Sequence, residues 1–414
     1  MRIAIVTYAL QIGGIETFIK LLAKQFLTHG HHVSLIETQS EGKWSQALKE
    51  EGFEVLQVLP RSFQSRVCHA KRIANALKSY NLIIVNDSPF AQAIYGLLPE
   101  SVIVIPVLHM YMNSMIHNAA SNANNWDMLV AVCPAAQNSA IAYGAPSERT
   151  TCIPNGVEIL AVNNKKVLSS SSLRLVYLGR VCHQQKGVLY LPGIVKRLID
   201  VGLKGELDII GDGPDLEILR THFSEMDKAI TVNLHGALTN IESKKKLMEA
   251  NILLMPSHFE GLPLVLLEAM SLGVVPIVSH LPGCTDYVVR HGENGVLVAP
   301  GDEAGFAEAV CKLANNSSNF NNLSIAARST IENDFTFELT AKKYAAIAQH
   351  FIALGERKHR PARNGTIDIP LLGDLPYLPL GLVRPIRKLL RMLGLFPTPT
   401  IQPLLYDRFY KKIE

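Results

Sequence analysis

Short runs of apolar residues alternate with segments of helical periodicity along the N-terminal part of the chain. The runs are rich in Val, Ile and Leu, and continuous apolar runs separated by helices are typical of parallel strands whose two faces are both covered. This alternation predicts a doubly wound α/β sheet. Its predicted strands are Arg2–Tyr8, His32–Glu37, Phe53–Leu59, Leu82–Val85, Val102–Leu108 and Met128–Val132.

The same alternation begins again after a polar stretch. The periodicity stops around Asn155, and Asn163–Ser172, which is rich in Lys and Ser, is predicted to be a linker. Beyond it the apolar runs and helical segments return, which predicts a second sheet of the same kind. Its strands are predicted at 173–179, 205–211, 230–236, 252–256, 274–279 and 296–300. Two such domains would present the carboxyl ends of both sheets to a shared cleft.

One stretch of this second half could be mistaken for a membrane span. The nineteen residues from Gly261 to Ser279 contain a single charge, which satisfies a hydropathy criterion for a transmembrane helix. Pro263, Gly273 and Pro276 interrupt the stretch, however. We therefore predict a buried helix that stops at Gly273, followed by a buried strand.

The chain is accordingly divided into two domains and an appendage. Residues 1–165 and 166–340 are predicted to form two Rossmann-like domains, and residues 337–355 a long helix. Residues 356–414 are rich in Pro and basic side chains, and they are predicted to form a tail.

The tail contains one predicted amphipathic helix, at 384–396, which begins near Pro385 and ends near Gly394. Its apolar residues share one face, and its basic residues share the other: Ile386, Leu389, Leu390 and Leu393 against Arg384, Arg387, Lys388 and Arg391. Such a helix either lies on an anionic membrane surface or packs on the body of the protein. The sequence leaves both alternatives open.

Composition and charge narrow the class of protein. Apolar residues make up 48% of the chain and charged residues 18%, which excludes a disordered protein. The tail has 11 basic and five acidic residues, and the rest of the chain is close to neutral. This distribution excludes a protein whose main role is to coat nucleic acid. Six cysteines without a C-x-x-C pair, and the lack of a signal-peptide core after Met1, predict a cytoplasmic location.

A glycine pair follows the first predicted strand. Gly13 and Gly14 precede a helical pattern, and glycines at such a turn let the backbone approach a ligand at the helix N-terminus. Dinucleotide binding is one interpretation, because Glu37 ends the second strand about twenty residues downstream. The full G-x-G-x-x-G pattern is missing. A turn without any ligand is an equal alternative.

Two cations and a second glycine pair follow strands of the second half. Arg180 and Lys186 flank the loop after the strand at 173–179, where fixed cations can neutralise a diphosphate; a solvated surface pair is the alternative. The run Gly211–Pro214 ends the next strand and lacks the third glycine of a cofactor motif. We interpret it as strand-end geometry.

The most informative segment contains two carboxylates. Glu260 precedes the helix predicted from Pro263, and Glu268 lies inside that helix among apolar residues. A carboxylate in such surroundings needs hydrogen bonds, which the vicinal hydroxyls of a ribose or sugar supply. The alternative is a helix-capping Glu260 and a Glu268 paired with a nearby Lys or Arg.

A histidine follows the strand at 102–108. His109 stands at the carboxyl end of that strand, where ligands bind, although a lone histidine there is more often structural. The sequence shows no cluster of His, Cys and Asp with metal-ligand spacing. No metal site is predicted.

Taken in order, six motifs resemble the retaining nucleotide-sugar glycosyltransferases of family 4, which have the GT-B fold. They extend over most of the chain before the tail: Gly13–Glu16, Gly30–Val33, Ile153–Val157, Gly179–Arg180 with Lys186–Gly187, Gly211–Pro214, and Glu260 with Glu268. Asn86 departs from the pattern, because relatives often carry His there. The helix at 337–355 would cross back to the first domain, and the tail lies outside the resemblance.

The resemblance implies a role for each matching residue. Glu268 would hold the ribose of the donor, Arg180 and Lys186 its diphosphate, and Glu260 with the backbone of Gly261, Leu262 and Pro263 the transferred sugar. Gly13 and Gly14 would contact the phosphate or the acceptor from the first domain, and His109 the donor sugar. Ala237 and Leu238 would contact the nucleobase.

The resemblance also implies a function and partners. The protein is expected to transfer a sugar from a UDP- or GDP-sugar, such as GDP-mannose, to a glycan or lipid-linked acceptor in cell-surface polysaccharide or glycolipid synthesis. The donor is a co-substrate, and no metal or cofactor is expected. The tail helix suggests a peripheral location at the inner face of the plasma membrane. A nucleotide-sugar epimerase of the same fold and a non-catalytic binding partner remain alternatives.

Overall fold

The computed structural model describes residues 1–160, 173–227, 229–353, 363–372 and 375–392. The predicted linker Asn163–Ser172 therefore lies wholly outside the described residues. The chain forms two compact units. The first comprises residues 1–132, 136–153 and the described residues from 341 onward, and the second comprises 133–135 and 154–340.

The first unit is built on a sheet of seven parallel strands. They are β1 (Arg2–Thr7), β2 (His32–Glu37), β3 (Glu54–Gln57), β4 (Leu82–Asn86), β5 (Ile103–Leu108), β6 (Leu129–Ala131) and β7 (Thr150–Cys152). Their order is β3-β2-β1-β4-β5-β6-β7. In the central register Ile5 lies between Leu35 and Ile84, and every residue of β4 and β5 is buried. The predicted doubly wound sheet is confirmed.

Helices cover both faces of this sheet, as parallel strands require. They are α1 (Gly14–Thr28), α2 (Ser45–Glu50), α3 (Arg66–Leu77), α4 (Pro89–Gln92), α5 (Asn113–Ala120) and α6 (Pro134–Tyr143). In α1 the residues Phe18, Ile19, Leu22 and Phe26 repeat at helical spacing and are buried, so the apolar stripe of the sequence is the face that packs on the sheet.

The second unit repeats the arrangement with six parallel strands. They are β8 (Leu173–Leu178), β9 (Gly205–Ile210), β10 (Ile230–Gly236), β11 (Ile252–Met255), β12 (Val275–Ser279) and β13 (Val296–Val298), in the order β10-β9-β8-β11-β12-β13. All six lie within predicted strands. In both sheets the strand order reverses beside the first strand, which is the dinucleotide-fold topology with its ligand crevice at the reversal.

Seven helices of the second unit pack on this sheet. They are α7 (His183–Lys186), α8 (Leu191–Asp200), α9 (Leu216–Ser224), α10 (Asn240–Glu249), α11 (Leu264–Ser271), α12 (Glu303–Ala314) and α13 (Ser317–Asp334). Phe306 of α12 and Phe320 of α13 are almost fully buried in the core on the sheet. The apolar stretch 261–279 forms α11 and then β12, as predicted.

A long helix and part of the tail complete the first unit. Helix α14 (Phe337–Ala353) begins in the second unit and continues in the first. Arg363 then anchors the tail, because its nearly buried guanidinium donates hydrogen bonds to the carbonyls of Val102 and Asn125 and lies 3.6 Å from the buried carboxylate of Asp127. Removal of either partner would leave an uncompensated buried charge, so the pair ties this part of the tail to the first unit.

The tail helix differs from the prediction. Helix α15 (Leu380–Met392) begins five residues before Pro385, which lies inside it, so the predicted start is wrong. The reason is tertiary: the N–H groups of Leu380 and Gly381 donate to the carbonyls of Gln64 and Ser62, which satisfies two orphan donors of the first turn. Residues 393–396 of the predicted helix, which include Gly394, lie outside the described residues.

Candidate active site

Three predicted donor-binding residues of the second unit follow the two strands at the reversal of its strand order. Strands β8 and β11 are neighbours there. The loop after β8 carries Arg180 and Lys186, and the loop after β11 carries Glu260. Because the carboxyl ends of parallel strands meet at one edge of a sheet, residues 74 positions apart come into contact.

Lys186 and Glu260 form the centre of this site. The Nζ atom of Lys186 donates to Oε1 and Oε2 of Glu260 at 2.7 and 2.8 Å. The hydroxyl of Ser257 donates to Oε1 at 2.6 Å. The side chain of Glu260 is 4% exposed and that of Lys186 is 17% exposed. Glu260 is thus an ion-paired carboxylate, and the alternative that it caps the following helix is wrong, since α11 has no side-chain cap.

Hydrogen bonds between the two loops fix this pair. The N–H of His258 donates to the carbonyl of Gln185 at 2.8 Å, and the rings of His183, Tyr190 and His258 contact one another edge to face, with centroids 4.9 to 5.4 Å apart. Such ring contacts add to burial in holding a geometry. The cluster therefore holds the Lys186 loop and the Glu260 loop as one rigid substructure.

Glycines allow the backbone to pack closely at this sheet edge. Gly187 has φ +62°, and a Cβ atom there would lie 1.9 Å from the carbonyl oxygen of Pro256. Gly211 has φ +137°, and its Cβ would lie 1.8 Å from the carbonyl oxygen of Gly179. Only glycine fits either position. The interpretation of Gly211–Pro214 as strand-end geometry is confirmed.

Arg180 is the exposed cation of the same loop. The hydroxyl of buried Tyr177 donates to the backbone carbonyl of Arg180 at 2.7 Å, so the strand end is fixed while the guanidinium reaches solvent. Partial burial lowers the pKa of Arg180, and the group stays a cation at neutral pH. Arg180 and Lys186 thus place two positive charges at one loop.

Glu268 lies in the second turn of α11 and is partly buried. Burial raises the pKa of its carboxyl to about 6, and the charge of Lys244 opposes that rise. The ion pairs formed by the described residues of neighbouring α10 join Lys246 to Asp208 and Glu249, not Glu268. Among the described residues no ion pair to Glu268 is found, so the alternative of a paired Glu268 is not seen in that part of the chain.

The backbone from Gly261 to Pro263 is buried beside Glu260. The carbonyl of Leu262 accepts a hydrogen bond from Nδ2 of Asn155 at 3.0 Å, and the carbonyl of Gly261 accepts one from the thiol of Cys284. Within the described part of the chain, the N–H groups of Gly261 and Leu262 donate to no other backbone carbonyl. Hydrogen bonds from the protein thus fix the two carbonyls of this segment.

Ala237 and Leu238 follow β10 at the same edge of the sheet. They come directly after Gly236, which has φ +68° and accepts a hydrogen bond from the N–H of Gly211 at 2.8 Å. The side chain of Ala237 is exposed and that of Leu238 is partly exposed. Their position is compatible with a flat, partly apolar ligand such as a nucleobase.

Asn155 and Ser257 belong to the site and were not assigned a role from the sequence. Asn155 is 6% exposed, and its Oδ1 has no hydrogen-bond partner among the described residues. Its motif, Ile153–Val157, was visible in the sequence, but its contact with Leu262 spans 107 positions. No local pattern predicts a contact of that kind.

His109 and the glycine pair lie in the first unit. His109 follows β5 and is 6% exposed. Its Nε2 lies 2.8 Å from Oδ1 of Asn86, and its ring contacts that of Phe18 edge to face. Burial lowers the pKa of His109 to about 3, so the imidazole is neutral. Asn86, the departure from the family pattern, is therefore the hydrogen-bond partner of the predicted histidine.

Two further carboxyls of the first unit have raised pKa values: Glu16, which belongs to the motif Gly13–Glu16, and Asp87, which the sequence did not single out. Asp87 follows β4, and Glu16 lies in the first turn of α1. Burial raises the pKa of each to about 7, and the charge of Asp87 adds to the rise at Glu16. Asp87 has φ +51°, a backbone conformation that is uncommon outside glycine and that concentrates at functional sites.

Gly13 and Gly14 begin α1, and both are exposed. A Cβ atom on Gly13 would lie 2.8 Å from Oε2 of Glu16, so the glycine makes room for that carboxyl at the helix start. The dinucleotide alternative needed a carboxylate at Glu37 to face a ligand. Glu37 is fully buried and accepts hydrogen bonds from the N–H groups of Leu10 and Gly42 and from Gln57, so it organises loops instead.

Two searches of the described residues complete the description. No group of three or more His, Cys, Asp or Glu side chains is arranged to hold a metal ion there. No helix in the described ranges combines the length and the apolar character that crossing a bilayer requires.

Comparisons with known sequences match both halves of the chain to one enzyme class. The sequence model "Glycosyltransferase Family 4" matches residues 12–159, and "Glycosyl transferases group 1" matches residues 172–316. The amylovoran biosynthesis glycosyltransferase AmsK of Erwinia amylovora is 29% identical over 231 residues, 54% of this chain and 56% of that protein. The glycogen synthase of Mycobacterium tuberculosis is 28% identical over 237 residues, 55% of each. The chain spans about half the length of these relatives.

Solved structures share the fold at lower identity. HepE of Anabaena, determined with UDP, superposes with a TM-score of 0.72 at 16% identity, over 84% of this chain and all of that one. The lipopolysaccharide outer core galactosyltransferase WaaB superposes with a TM-score of 0.65 at 21% identity, over 85% of this chain and all of that one. The predicted GT-B fold, with two Rossmann-like domains, is confirmed.

Proposed function

Because the chain belongs to the family 4 glycosyltransferases, we propose that it transfers a sugar from a nucleoside diphosphate sugar to a hydroxyl of a glycan or lipid-linked acceptor. The anomeric configuration of the sugar is retained in this proposal, and no metal or cofactor takes part. This transfer is a step in the synthesis of a cell-surface polysaccharide or glycolipid. The protein works in the cytoplasm, at the inner face of the membrane.

One observation carries this proposal: the buried Lys186–Glu260 pair stands at the reversal of the strand order in the second unit. A doubly wound sheet binds its ligand at this position. Glu268, with its raised pKa, lies in the helix that follows Glu260. A carboxyl of raised pKa in the helix that follows an ion pair at the ligand-binding edge of a sheet marks a candidate ligand site.

The residues divide the donor between them. Arg180 and Lys186 bind the diphosphate and stabilise the negative charge that grows on it as the glycosidic bond breaks. Glu260 and the N–H groups of Gly261 and Leu262, next to Pro263, bind the hydroxyls of the transferred sugar. Glu268 accepts hydrogen bonds from the ribose hydroxyls, and the backbone at Ala237 and Leu238 contacts the base.

The chemistry needs no protein nucleophile. The sugar develops oxocarbenium character as the diphosphate departs, and the acceptor hydroxyl attacks from the same face. The departing phosphate oxygen takes the proton of that hydroxyl. In the first unit, His109 is neutral and its Nε2–H donates to Oδ1 of Asn86, so its Nδ1 can accept one hydrogen bond from a hydroxyl of the donor sugar. Gly13 and Gly14 admit the donor phosphate or the acceptor to the start of α1.

A uridine donor has the most support. HepE, which shares the fold, was determined with UDP and with UDP-glucose. The relative AmsK takes its name from the biosynthesis of amylovoran, which supports a polysaccharide pathway. A GDP-sugar such as GDP-mannose remains the second donor class to be tested.

The test is calorimetric titration of the intact protein with UDP-, GDP-, ADP- and dTDP-sugars in the presence of EDTA. We expect one sugar nucleotide to bind, and we expect Glu268→Ala to weaken its binding by about 10- to 100-fold, because two hydrogen bonds to a charged group are lost. Full affinity in the Glu268→Ala protein would contradict the ribose role. Turnover of the donor without any acceptor would indicate an epimerase, and binding without turnover a non-catalytic partner.

A further inference from the structure

Five large apolar side chains are exposed on one part of the first unit. They are Phe63 (96% exposed), Tyr377 (69%), Leu382 (50%), Leu389 (54%) and Met392 (75%), and we call them the tail surface. Phe63 lies in the loop before α3, Tyr377 precedes α15, and the other three belong to α15. Soluble proteins rarely leave such side chains clustered in water unless they meet a partner.

Backbone hydrogen bonds hold these elements together. The N–H groups of Leu380 and Gly381 donate to the carbonyls of Gln64 and Ser62, on either side of Phe63. A β-bridge joins Ser65 to Pro379. The loop that carries Phe63 and the start of α15 are therefore one continuous piece of surface, and Tyr377 stands beside their junction.

Helix α15 uses only part of its apolar side to pack on the protein. Val383 is 3% exposed and is the residue of this helix that anchors it. Leu382 and Leu389 are seven positions apart and hence share a face, about a quarter of a turn away from Val383. The two leucines and Met392 therefore lie outside the contact that Val383 makes with the body of the protein. Packing on the body, one of the two alternatives from the sequence, accounts for the side of the helix that carries Val383.

The charge of the helix is positive throughout. It contains Arg384, Arg387, Lys388 and Arg391 and no acidic residue. Lys388 is exposed, and its long side chain can follow an apolar surface while its ammonium group remains in water. Apolar side chains next to basic ones on one helix are the pattern of a helix that lies in the headgroup region of an anionic membrane.

We propose that the tail surface docks on an anionic membrane leaflet, with Leu382, Leu389 and Met392 inserted below the headgroups. Phe63 and Tyr377 extend this contact at the boundary, and Lys388 binds lipid phosphates. A second copy of the chain is the less suitable occupant, because two copies of α15 would bring eight basic groups together without a counter-charge. The proposal does not rest on the donor site, which lies in the other unit.

The test is flotation of the intact protein with vesicles of phosphatidylcholine alone or mixed with phosphatidylglycerol. We expect the protein to float with the mixed vesicles and to be released by high salt. Leu389→Asp should lower the partition coefficient at least 10-fold, because an inserted leucine is lost and a negative charge is added. Lys388→Gln should lower it about fivefold.

Matched controls keep the result interpretable. Ile325→Asp changes an apolar residue that is 60% exposed on α13 and should leave flotation unchanged. Donor binding measured by calorimetry should be the same in all three variants, which separates this proposal from the proposed function. The inference is overturned if the wild-type protein does not float with mixed vesicles, if Ile325→Asp loses as much binding as Leu389→Asp, or if Leu389→Asp only dissociates a dimer.

Discussion

The carboxyl of Glu268, to which we assign the ribose of the donor, lies in an environment that disfavours its ionised form. Burial raises the pKa of its carboxyl to about 6, so the ionised form is destabilised in the unliganded protein. Ionised carboxylates accept the hydrogen bonds of ribose hydroxyls. Ionisation of Glu268 should therefore strengthen donor binding and lower the stability of the unliganded protein.

This opposition gives a pH prediction. The affinity for the sugar nucleotide should rise as the pH increases through about 6, because the carboxylate forms, and the affinity of Glu268→Gln should not change in this way. Stability of the unliganded wild type should fall over the same interval, since the folded protein binds more protons there than the unfolded chain. Glu268→Gln should unfold at higher denaturant concentration near pH 8. Calorimetry and urea titrations would measure both, and a pH-independent wild-type affinity would contradict the assigned role.

Lys186 forms an ion pair with Glu260, and the proposed function assigns it a chemical role as well. Its ammonium is the countercharge of Glu260, which is 4% exposed. Lys186→Met should lower the free energy of unfolding by about 3 kcal/mol, because a buried carboxylate loses its partner. The transfer rate should fall by at least about 100-fold, because one positive charge at the diphosphate is lost.

A double variant separates these two roles. Adding Glu260→Gln to Lys186→Met removes the uncompensated charge, so much of the stability should return while the transfer rate stays low. Urea unfolding and single-turnover rates are the measurements. If the double variant recovered activity together with stability, the chemical role of Lys186 would be wrong.

Single residues of the site were predictable from the sequence, but their partners were not. Glu260 and Lys186 stand out because a charge in an apolar or loop context near a strand end has few structural uses. Their contact joins positions 74 apart, and that of Asn155 with Leu262 joins positions 107 apart. Asp87 has no sequence signal at all, since its positive φ and the raised pKa of its partly buried carboxyl arise from the packing around the end of β4.

At the scale of elements, the turn after α7 determines the position of Lys186. Gly187 follows α7 with φ +62°, and its Cα faces the carbonyl of Pro256. A non-glycine residue in the left-handed region costs about 1–2 kcal/mol. Gly187→Ala should lower the free energy of unfolding by more than this cost, because the new methyl group also displaces the loop that carries Glu260. Donor affinity should fall with it.

Gly202→Ala is the matched control for this turn. Gly202 has a comparable φ of +82°, but nothing lies within 4 Å of a Cβ atom there. The control should show the backbone strain alone, with unchanged donor affinity. Thermal unfolding and calorimetry would measure both variants. Equal effects of the two substitutions on donor binding would show that the contact with Pro256 does not position Lys186.

Elements with a long apolar run were predictable, whereas those set by tertiary contacts were not. All strands of the second sheet lie within their predicted ranges, because continuous apolar runs of that length fit only a covered parallel sheet. Strand β7 (Thr150–Cys152) begins with two threonines and is not part of a continuous apolar run, so no hydrophobic pattern predicted it. The predicted start of α15 was wrong. Pro385 suggested a helix that begins there, whereas the carbonyls of Ser62 and Gln64 accept hydrogen bonds from the first turn of the helix at Leu380 and Gly381.

At the scale of the whole molecule, the chain uses one topology twice. Both sheets have their first strand beside the point where the strand order reverses. The repetition was visible in the sequence as two rounds of apolar runs and helices, and the six motifs extended across both. In the tail the sequence predicted an amphipathic helix but not the surface that its apolar side contacts. That surface depends on tertiary contacts, which no local pattern encodes.

The most direct test of the account is transfer itself. The intact protein would be incubated in EDTA with the sugar nucleotide identified by calorimetry, labelled in its sugar, together with a lipid-linked glycan extract. The account predicts that label appears in the acceptor fraction with the donor's anomeric configuration, and that Lys186→Met abolishes this transfer. Donor that binds but never loses its sugar to an acceptor would contradict it.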